Sequence, residues 1–258
     1  MNKEPRICSI DIETFPLLIE SWGVYEQNAL RIIRPFTICA FTVKWLDGKR
    51  ITKALPDYHG YRPMNDRNFK IDDKKICKDI WKLLDEADIV IAQNGDSFDI
   101  KKLNTRFLVH KLPPPSPYKT IDTLKISHSS FGFDSNKLGF LGEQTGHGTK
   151  AETGGYGLWV GCMYGDKKAW KKMKEYNRQD VIVLENVYKE FRPWAKQHPN
   201  LGIFMGAGVC PKCGSSNVIK WGIARNRTTT YQQFKCKDCK SKSRDTTNLL
   251  PFKPLVNI

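Results

Sequence analysis

The chain has 258 residues, 40% of them hydrophobic, and carries 42 Lys and Arg against 27 Asp and Glu, a net charge of +15. That length suits one large domain, or one domain with a small module. No run approaches the ~18 apolar residues of a membrane span, and the N-terminal MNKEPRICSIDIETF lacks the unbroken apolar core of a signal peptide, so no membrane association and a cytoplasmic protein are expected.

The first strand is expected at about 7–14. Residues two apart on a strand share a face, so Ile7, Ser9, Asp11 and Glu13 fall on one side and Cys8, Ile10 and Ile12 on the other. Two carboxylates that close resist ionising together. A divalent cation removes the conflict, because hard cations take carboxylate oxygens; the alternative is an exposed edge strand with solvated acids. FTICAFTVKW (36–45) and a short run near 50–55 follow as sheet neighbours, with DGK at 47–49 as a hairpin signal. Residues 73–86 space apolar groups at 76, 80, 83 and 84, which predicts a helix.

DIVIAQN (88–94) then reads as a buried strand and FDIKKLNTRFLVH (98–110) as a helix, a unit ended by the prolines at 113–115. YKTIDTL (118–124) is predicted as a short strand and KLGFLGEQTG (137–146) as a short helix with a glycine stop, within a glycine-rich, loop-like stretch over 132–165. A long helix follows over about 166–191, stopped before Pro193. Strands first, then strands alternating with helices, indicate an α/β domain with a mixed sheet. Two prolines and three glycines in 192–209 mark a junction. The expected organisation is a domain over 1–192, a linker over 193–209 and a small module with a tail over 210–258.

Two further patterns bear on chemistry. At AQNGDSFDIKKL (92–103) a strand ends at Asn94–Gly95 and a helix starts near Phe98, with Asp96 and Asp99 at the junction. Capping and the helix dipole favour acids in a first turn, yet the end of a central strand is also where α/β sheets place active sites. On the long helix, the apolar stripe Met173, Tyr176, Leu184, Val187, Phe191 also contains Asp180. A core-facing carboxylate is costly unless paired or metal-bound. A buried arginine partner, or a wet edge at that turn, is the alternative.

D-x-E on a first strand, N-x-x-x-F-D at a strand-to-helix junction and Y-x-x-x-D on a late helix, in that order, resemble the DEDDy branch of the ribonuclease-H-like 3′–5′ exonucleases. The likeness is strongest to the proofreading domain of family B DNA polymerases and its stand-alone relatives, and covers roughly residues 5–192. The resemblance implies a ribonuclease-H-like mixed sheet flanked by helices. It implies Asp11, Glu13, Asp99 and Asp180 as ligands of two Mg²⁺ or Mn²⁺ ions, Tyr176 as the group that orients the attacking water, and Asn94 near the substrate strand. Asp99 is preferred to Asp96 because Phe98–Asp99 reproduces the F-D pair, and Asp122 is a further acid near the site but not a ligand. No polymerase region follows in this sequence, and 132–160 matches no motif of the family. By the same resemblance the setting is a prokaryotic or phage-infected cytoplasm.

The basic excess is concentrated late in the chain: residues 206–258 hold ten Lys and Arg against two Asp and Glu, a net +8. Such a balance favours polyanions, most often nucleic acid. CPKCG (210–214) and CKDC (236–239) make two C-x-x-C pairs, which read as a structural Zn²⁺ site of Cys210, Cys213, Cys236 and Cys239. The segment resembles a zinc ribbon. Cys8, Cys39, Cys77 and Cys162, scattered among apolar residues, read as small buried hydrophobes, and disulfides are not expected. Between the knuckles, aromatics interleave with cations; aromatics stack on bases while cations meet phosphates. Arg225 and Arg227, at the expected hairpin tip, with Tyr231 and Lys235, are the candidate nucleic-acid contacts, and Trp221 and Phe234 are equally suited to the ribbon's core. The apolar tail LLPFKPLVNI packs on the main domain or docks a protein partner. The leading expectation is a metal-dependent exonuclease on DNA, releasing nucleoside 5′-monophosphates; the same reaction on RNA, or a non-catalytic nucleic-acid binder, are the alternatives.

Overall fold

The computed structural model describes residues 3–46, 48–65, 69–148 and 154–255. Its centre is a five-stranded mixed sheet in the order β5-β4-β1-β6-β7, built from β1 (Ile7–Phe15), β4 (Thr37–Trp45), β5 (Arg50–Ala54), β6 (Ile89–Ala92) and β7 (Lys119–Asp122). Strand β1 is antiparallel to β4 and parallel to β6, and β6 is parallel to β7. The Asp11–Glu13 strand therefore lies in the middle of the sheet, which removes the edge-strand alternative. Asp47 of the expected hairpin turn lies outside the described residues, but Gly48 N donates to Trp45 O (2.8 Å) and β4 and β5 pair as foreseen.

Alternation along β1 sends its two sets of side chains into two cores. Cys8, Ile10 and Ile12 pack with Ile76, Ile80 and Leu84 of α1 (Lys74–Asp85) and with Leu103 and Phe107 of α2 (Asp99–Val109). Ile7, with Ile89, Ile91 and Ile121, packs with Leu184, Val187, Tyr188 and Phe191 of α6 (Lys167–Phe191) and with Leu138 and Leu141 of α4 (Leu138–Gln144). Helices thus cover both faces, which is why β6 reads as an unbroken apolar run rather than an alternating one. Lys44 of β4 reaches Glu185 of α6 at 2.5 Å, a largely buried pair that pins the helix along the sheet. On the other face the fully buried Asp73 accepts from Ile38 N (2.9 Å), Arg106 Nε (2.8 Å) and His110 Nε2 (2.6 Å), joining β4, α2 and the start of α1. Removing one partner of such a pair leaves an uncompensated buried charge and costs about 3–5 kcal/mol.

Several elements depart from expectation. Within the loop-like stretch 132–165 the helix expected over 137–146 is present as α4, and a second, unexpected helix, α5 (Gly157–Met163), follows; 149–153 lie outside the described residues. The strand expected over 118–124 stops at Asp122, which caps a helix, α3 (Thr123–Ser130), by accepting from Leu124 N at 3.0 Å. A two-stranded arm, β2 (Leu18–Glu20) and β3 (Arg31–Arg34), follows β1 and had no expectation attached to it.

Beyond α6, β8 (Val218–Arg225), β9 (Thr230–Cys236) and β10 (Lys242–Arg244) form an antiparallel three-stranded ribbon. The segment 193–209, expected as a linker, is packed. Ala195 and Leu201 are buried in the α6-side core, and α7 (Gly202–Met205) follows. Leu201 N donates to Pro211 O (2.8 Å) and Lys212 Nζ to Pro193 O (2.7 Å), so the first knuckle seats on the end of the large domain. Gly214, at φ +76°, lies against Met205, where a Cβ would come within 2.5 Å of its sulfur. In the tail, Leu249 N donates to Thr230 O (2.7 Å), whereas Phe252 and Leu255 are exposed and do not pack on the large domain; 256–258 lie outside the described residues.

Candidate metal centre and nucleic-acid cleft

The parallel strands open a cleft at their carboxyl ends. Pairing of β1 with β6 runs only from Ile7 to Ser9, and β6 stops at Ala92. Past that point the β6 side of β1 has no strand partner. Ile12 N donates instead to Asp99 Oδ1 (3.1 Å), from the first turn of α2. On its other side β1 shifts register against β4 between Glu13 and Thr14, a bulge of the kind that re-aims side chains next to active sites.

Helix α6 crosses the face to which Asp11 and Glu13 point. Asp11, Glu13 and Asp180 each place one carboxylate oxygen within 4.8 Å of the others, and Asp180 is buried. Asp99 is also buried but stands outside this group of three, tied to the β1 backbone. Three acids so close fit a hard divalent cation, since their mutual repulsion is what such an ion offsets. Of the two acids at that junction, Asp99 is buried against β1, whereas the half-buried Asp96 is in an ion pair with Lys125 Nζ (2.6 Å). Tyr176, one helical turn before Asp180, is half-buried, its ring edge-on to Trp159 at 6.2 Å.

One residue of the site was not foreseen. Asn177, fully buried, donates Nδ2 to Asp11 Oδ2 (2.6 Å) and to Asp11 O (3.2 Å). A carboxylate only accepts, so the amide nitrogen must face it. The signal in the sequence was a polar residue three before Asp180 on the same helix face. Asp122 is structural rather than ligating, accepting from Asn94 N (2.9 Å) as well as capping α3. That bond holds Asn94 at φ +59°, a left-handed conformation that asparagine tolerates better than most residues. Beside Asp11 the cleft encloses about 620 Å³ and is lined by Gln93, Asn94, Leu124 and Ser135–Leu138, so the glycine-rich stretch supplies one wall.

In the ribbon the four cysteines converge as their spacing required. Cys210 and Cys239 sulfurs are 3.6 Å apart, as are those of Cys213 and Cys236, and none of the eight cysteines is in a disulfide. Four ligands at a Zn–S distance of about 2.3 Å in a tetrahedron stand about 3.8 Å apart, so the donor set and spacing fit zinc. Thiol donation from Cys239 holds Cys210 down to about 4, while burial pushes Cys213 up to about 11. A cation that deprotonates all four would relieve that inequality.

The four expected nucleic-acid contacts of the ribbon do not form one surface. Tyr231 and Lys235 share a face, Arg225 alternates to the other, and Arg227 lies in the turn. Neither Trp221 nor Phe234 belongs to the ribbon's core, which consists of the cysteines and Val218; Trp221 is 49% exposed.

Among the described residues no helix is long and apolar enough to cross a membrane. No curated protein sequence similar to the chain is found. In structure the chain is similar to the family B DNA polymerase from the hyperthermophilic archaeon Pyrobaculum calidifontis, with a TM-score of 0.53 and 16% identity over 73% of this chain and 25% of that one. That likeness is one of fold, and the chain spans about a quarter of the polymerase's length. The family model of the RNase_H superfamily matches residues 55–192, a segment that starts after β1 yet includes Asp99, Tyr176 and Asp180. With more than half of the chain matched and the central mixed sheet in place, the chain belongs to the RNase_H superfamily.

Proposed function

We propose that the protein is a metal-dependent 3′–5′ exonuclease of the DEDDy type, hydrolysing DNA, single-stranded by preference, to nucleoside 5′-monophosphates. The observation that carries this reading is the meeting of Asp11, Glu13 and Asp180, from the sheet centre and a distant helix, at the cleft mouth with Asp99 and Tyr176 beside them. DNA is preferred as substrate because the solved structure that the chain resembles is that of a DNA polymerase.

Asp11, Glu13 and Asp180, with Asp99, would hold Mg²⁺ or Mn²⁺, two ions by the pattern of carboxylate sites for phosphodiester displacement. When bound, such ions neutralise the phosphodiester and acidify water. The chain's own residues then position the reactants. Asn177 locks the Asp11 carboxylate, and Asp99 fixes the β1 backbone between Asp11 and Glu13. Tyr176 acts by holding the attacking water through a hydrogen bond, a free phenol with a pKa of ~10 being a poor base at neutral pH. The cleft wall at Asn94 and Ser135–Leu138 receives the terminal nucleotide. Cys210, Cys213, Cys236 and Cys239 would hold one structural Zn²⁺ in a module spanning about 210–258, behind the nuclease domain of 1–192.

The test uses 5′-labelled single-stranded DNA, duplex DNA and RNA, each with Mg²⁺, Mn²⁺ or EDTA. The expected result is a metal-dependent ladder shortening from the 3′ end, fastest on single-stranded DNA. Immediate release of the labelled 5′ nucleotide, or shortening unaffected by EDTA, would overturn the proposal.

A further inference from the structure

The ribbon carries an aromatic and cationic face that its own folding does not use. Cross-strand register sets Ile219 opposite Lys235, Ala224 opposite Tyr231, and Lys242 opposite Lys235, so these residues point the same way. Arg244, opposite Gln233, joins them. The register shift between Lys220 and Gly222 turns the Trp221 ring onto this face too, with Lys235 Nζ 4.5 Å and Lys242 Nζ 5.6 Å from its centroid. Arg244 covers the Tyr231 ring at 3.9 Å. Among the described residues none of Lys235, Lys242 and Arg244 is in an ion pair. The only acids of the ribbon and tail are Asp238, held at the knuckle by Ser215 and Asn217, and Asp245, which accepts from Thr246 N (2.7 Å).

We propose that this face, with Trp221 and Tyr231 as stacking stations and Lys235, Lys242 and Arg244 as phosphate contacts, is a platform for single-stranded nucleic acid that holds the strand upstream of the cleaved end. The proposal rests on the nuclease reading only for what the platform serves. Three cations without a carboxylate match a polyanion, and aromatic rings, Trp221 exposed and Tyr231 half-buried beneath Arg244, stack on any base, which makes such a surface tolerant of sequence. Tyr231 and Lys235, which lies over Trp221, are four residues apart on β9, or about 13 Å at 3.3 Å per residue. That spacing accommodates roughly four stacked nucleotides at 3.4 Å each. Arg225, on the opposite face, and Arg227, in the turn, are not part of it. Asp180 lies eleven residues before the end of α6, about 16 Å along the helix axis at 1.5 Å per residue, and the ribbon is seated just beyond that end. A strand must therefore span at least about five stacked nucleotides to touch both.

The test is fluorescence anisotropy on the full-length chain carrying Asp180→Asn, so that the labelled strand is not cut, with dT20 and dT4 as probes over a series of salt concentrations. Trp221→Ala should weaken dT20 binding about tenfold or more, and Trp221→Phe should restore most of it, with a smaller loss for dT4, which is too short to touch platform and cleft together. Lys235→Ala with Lys242→Ala, surface changes that leave the zinc site alone, should lower the log–log salt slope for dT20 by about 1.4, at 0.7 per phosphate on a single strand. Wild-type-like dT20 affinity and slope in the lysine pair and in Trp221→Ala, each still holding one zinc per chain, would overturn the platform and point to a protein partner instead. If dT20 binding depends on the platform but the wild-type chain cuts nothing, the nuclease reading fails and the platform stands. If the wild type cuts but the variants bind normally, the reverse holds.

Discussion

Replacing Asn177 by Leu isolates its hold on Asp11 from its contribution to packing. Both side chains branch at Cγ with four heavy atoms, leucine being the bulkier, so no cavity opens. What is lost is the donation from Nδ2 to Asp11 Oδ2 at 2.6 Å and to the Asp11 carbonyl at 3.2 Å. A hydrogen bond to a charged group contributes about 1.5–3 kcal/mol. Against this, Asn177 Oδ1 is buried without a hydrogen-bond partner, and leucine removes that unsatisfied oxygen, a gain of about 1–3 kcal/mol. The two terms nearly cancel in the folded-state balance, so the melting temperature should shift by only a few degrees. They do not cancel in catalysis, because only the first orients a carboxylate at the reacting phosphate. If 1.5–3 kcal/mol is expressed in the transition state, kcat should fall about ten- to a hundredfold at 1.36 kcal/mol per decade. Losing an outer partner of a metal-holding carboxylate has a comparable effect on metal affinity, so half-saturation by Mg²⁺ should also move to higher concentration. Initial rates on 5′-labelled single-stranded DNA across a Mg²⁺ titration, with thermal denaturation in parallel, measure both. Wild-type kcat and Mg²⁺ dependence in Asn177→Leu would refute the reasoning and leave Asn177 as packing.

Asp11→Asn or Asp180→Asn should abolish the ladder while circular dichroism and DNA binding stay near wild type; normal rates in both would remove the metal centre. Tyr176→Phe should lower kcat by about 10²–10³ with KM little changed, the cost of one positioned hydrogen bond to a reacting group; an unchanged rate would make Tyr176 a packing residue of the α6 stripe. Metal analysis of the purified chain should find one zinc, lost in Cys213→Ser, since four sulfurs complete a closed tetrahedral site. His198, stacked on Tyr188 and hydrogen-bonded to its hydroxyl at 2.9 Å, has its pKa pushed down to about 4 by burial. The folded state thus resists a proton that the unfolded chain takes up near 6.5, so this contribution is complete above pH 6.5 and is lost as pH falls toward 4, by about 3 kcal/mol at most. Denaturant unfolding of wild type and His198→Gln at pH 7 and 4.5 measures it, and equal pH dependence in the two would show that His198 does not carry it.

Much of the architecture was legible because burial imposes a period. The long helix shows its stripe from Met173 to Phe191, and Ile76, Ile80 and Leu84 announce α1 for the same reason. The cysteine spacing led to a four-sulfur cluster, because two short knuckles leave little other arrangement. The shared face of Asp11 and Glu13 follows from strand alternation alone. Short polar elements were not legible: α3, with the sequence TLKISHSS, has only a weak apolar stripe, and α5 follows a pair of glycines that suggests a loop.

What the amino-acid sequence determined by itself was therefore local: which residues form regular elements, which acids sit on an inward face, and which cysteines pair in spacing. Tertiary structure decided which of two neighbouring acids lies against the central strand. Asp96 and Asp99 suit a helix start equally well, and the distinction arises only because β6 ends early and leaves Ile12 N to be met by Asp99. It likewise decided that Asn177 holds Asp11, a contact across 166 residues that no local pattern encodes. In the ribbon, one shift of register at Trp221 settles which side chains share a face, since each single-residue slip on a strand reverses every side chain beyond it. Periodicity is a property of one segment, whereas a site is made where separate segments stop pairing with each other.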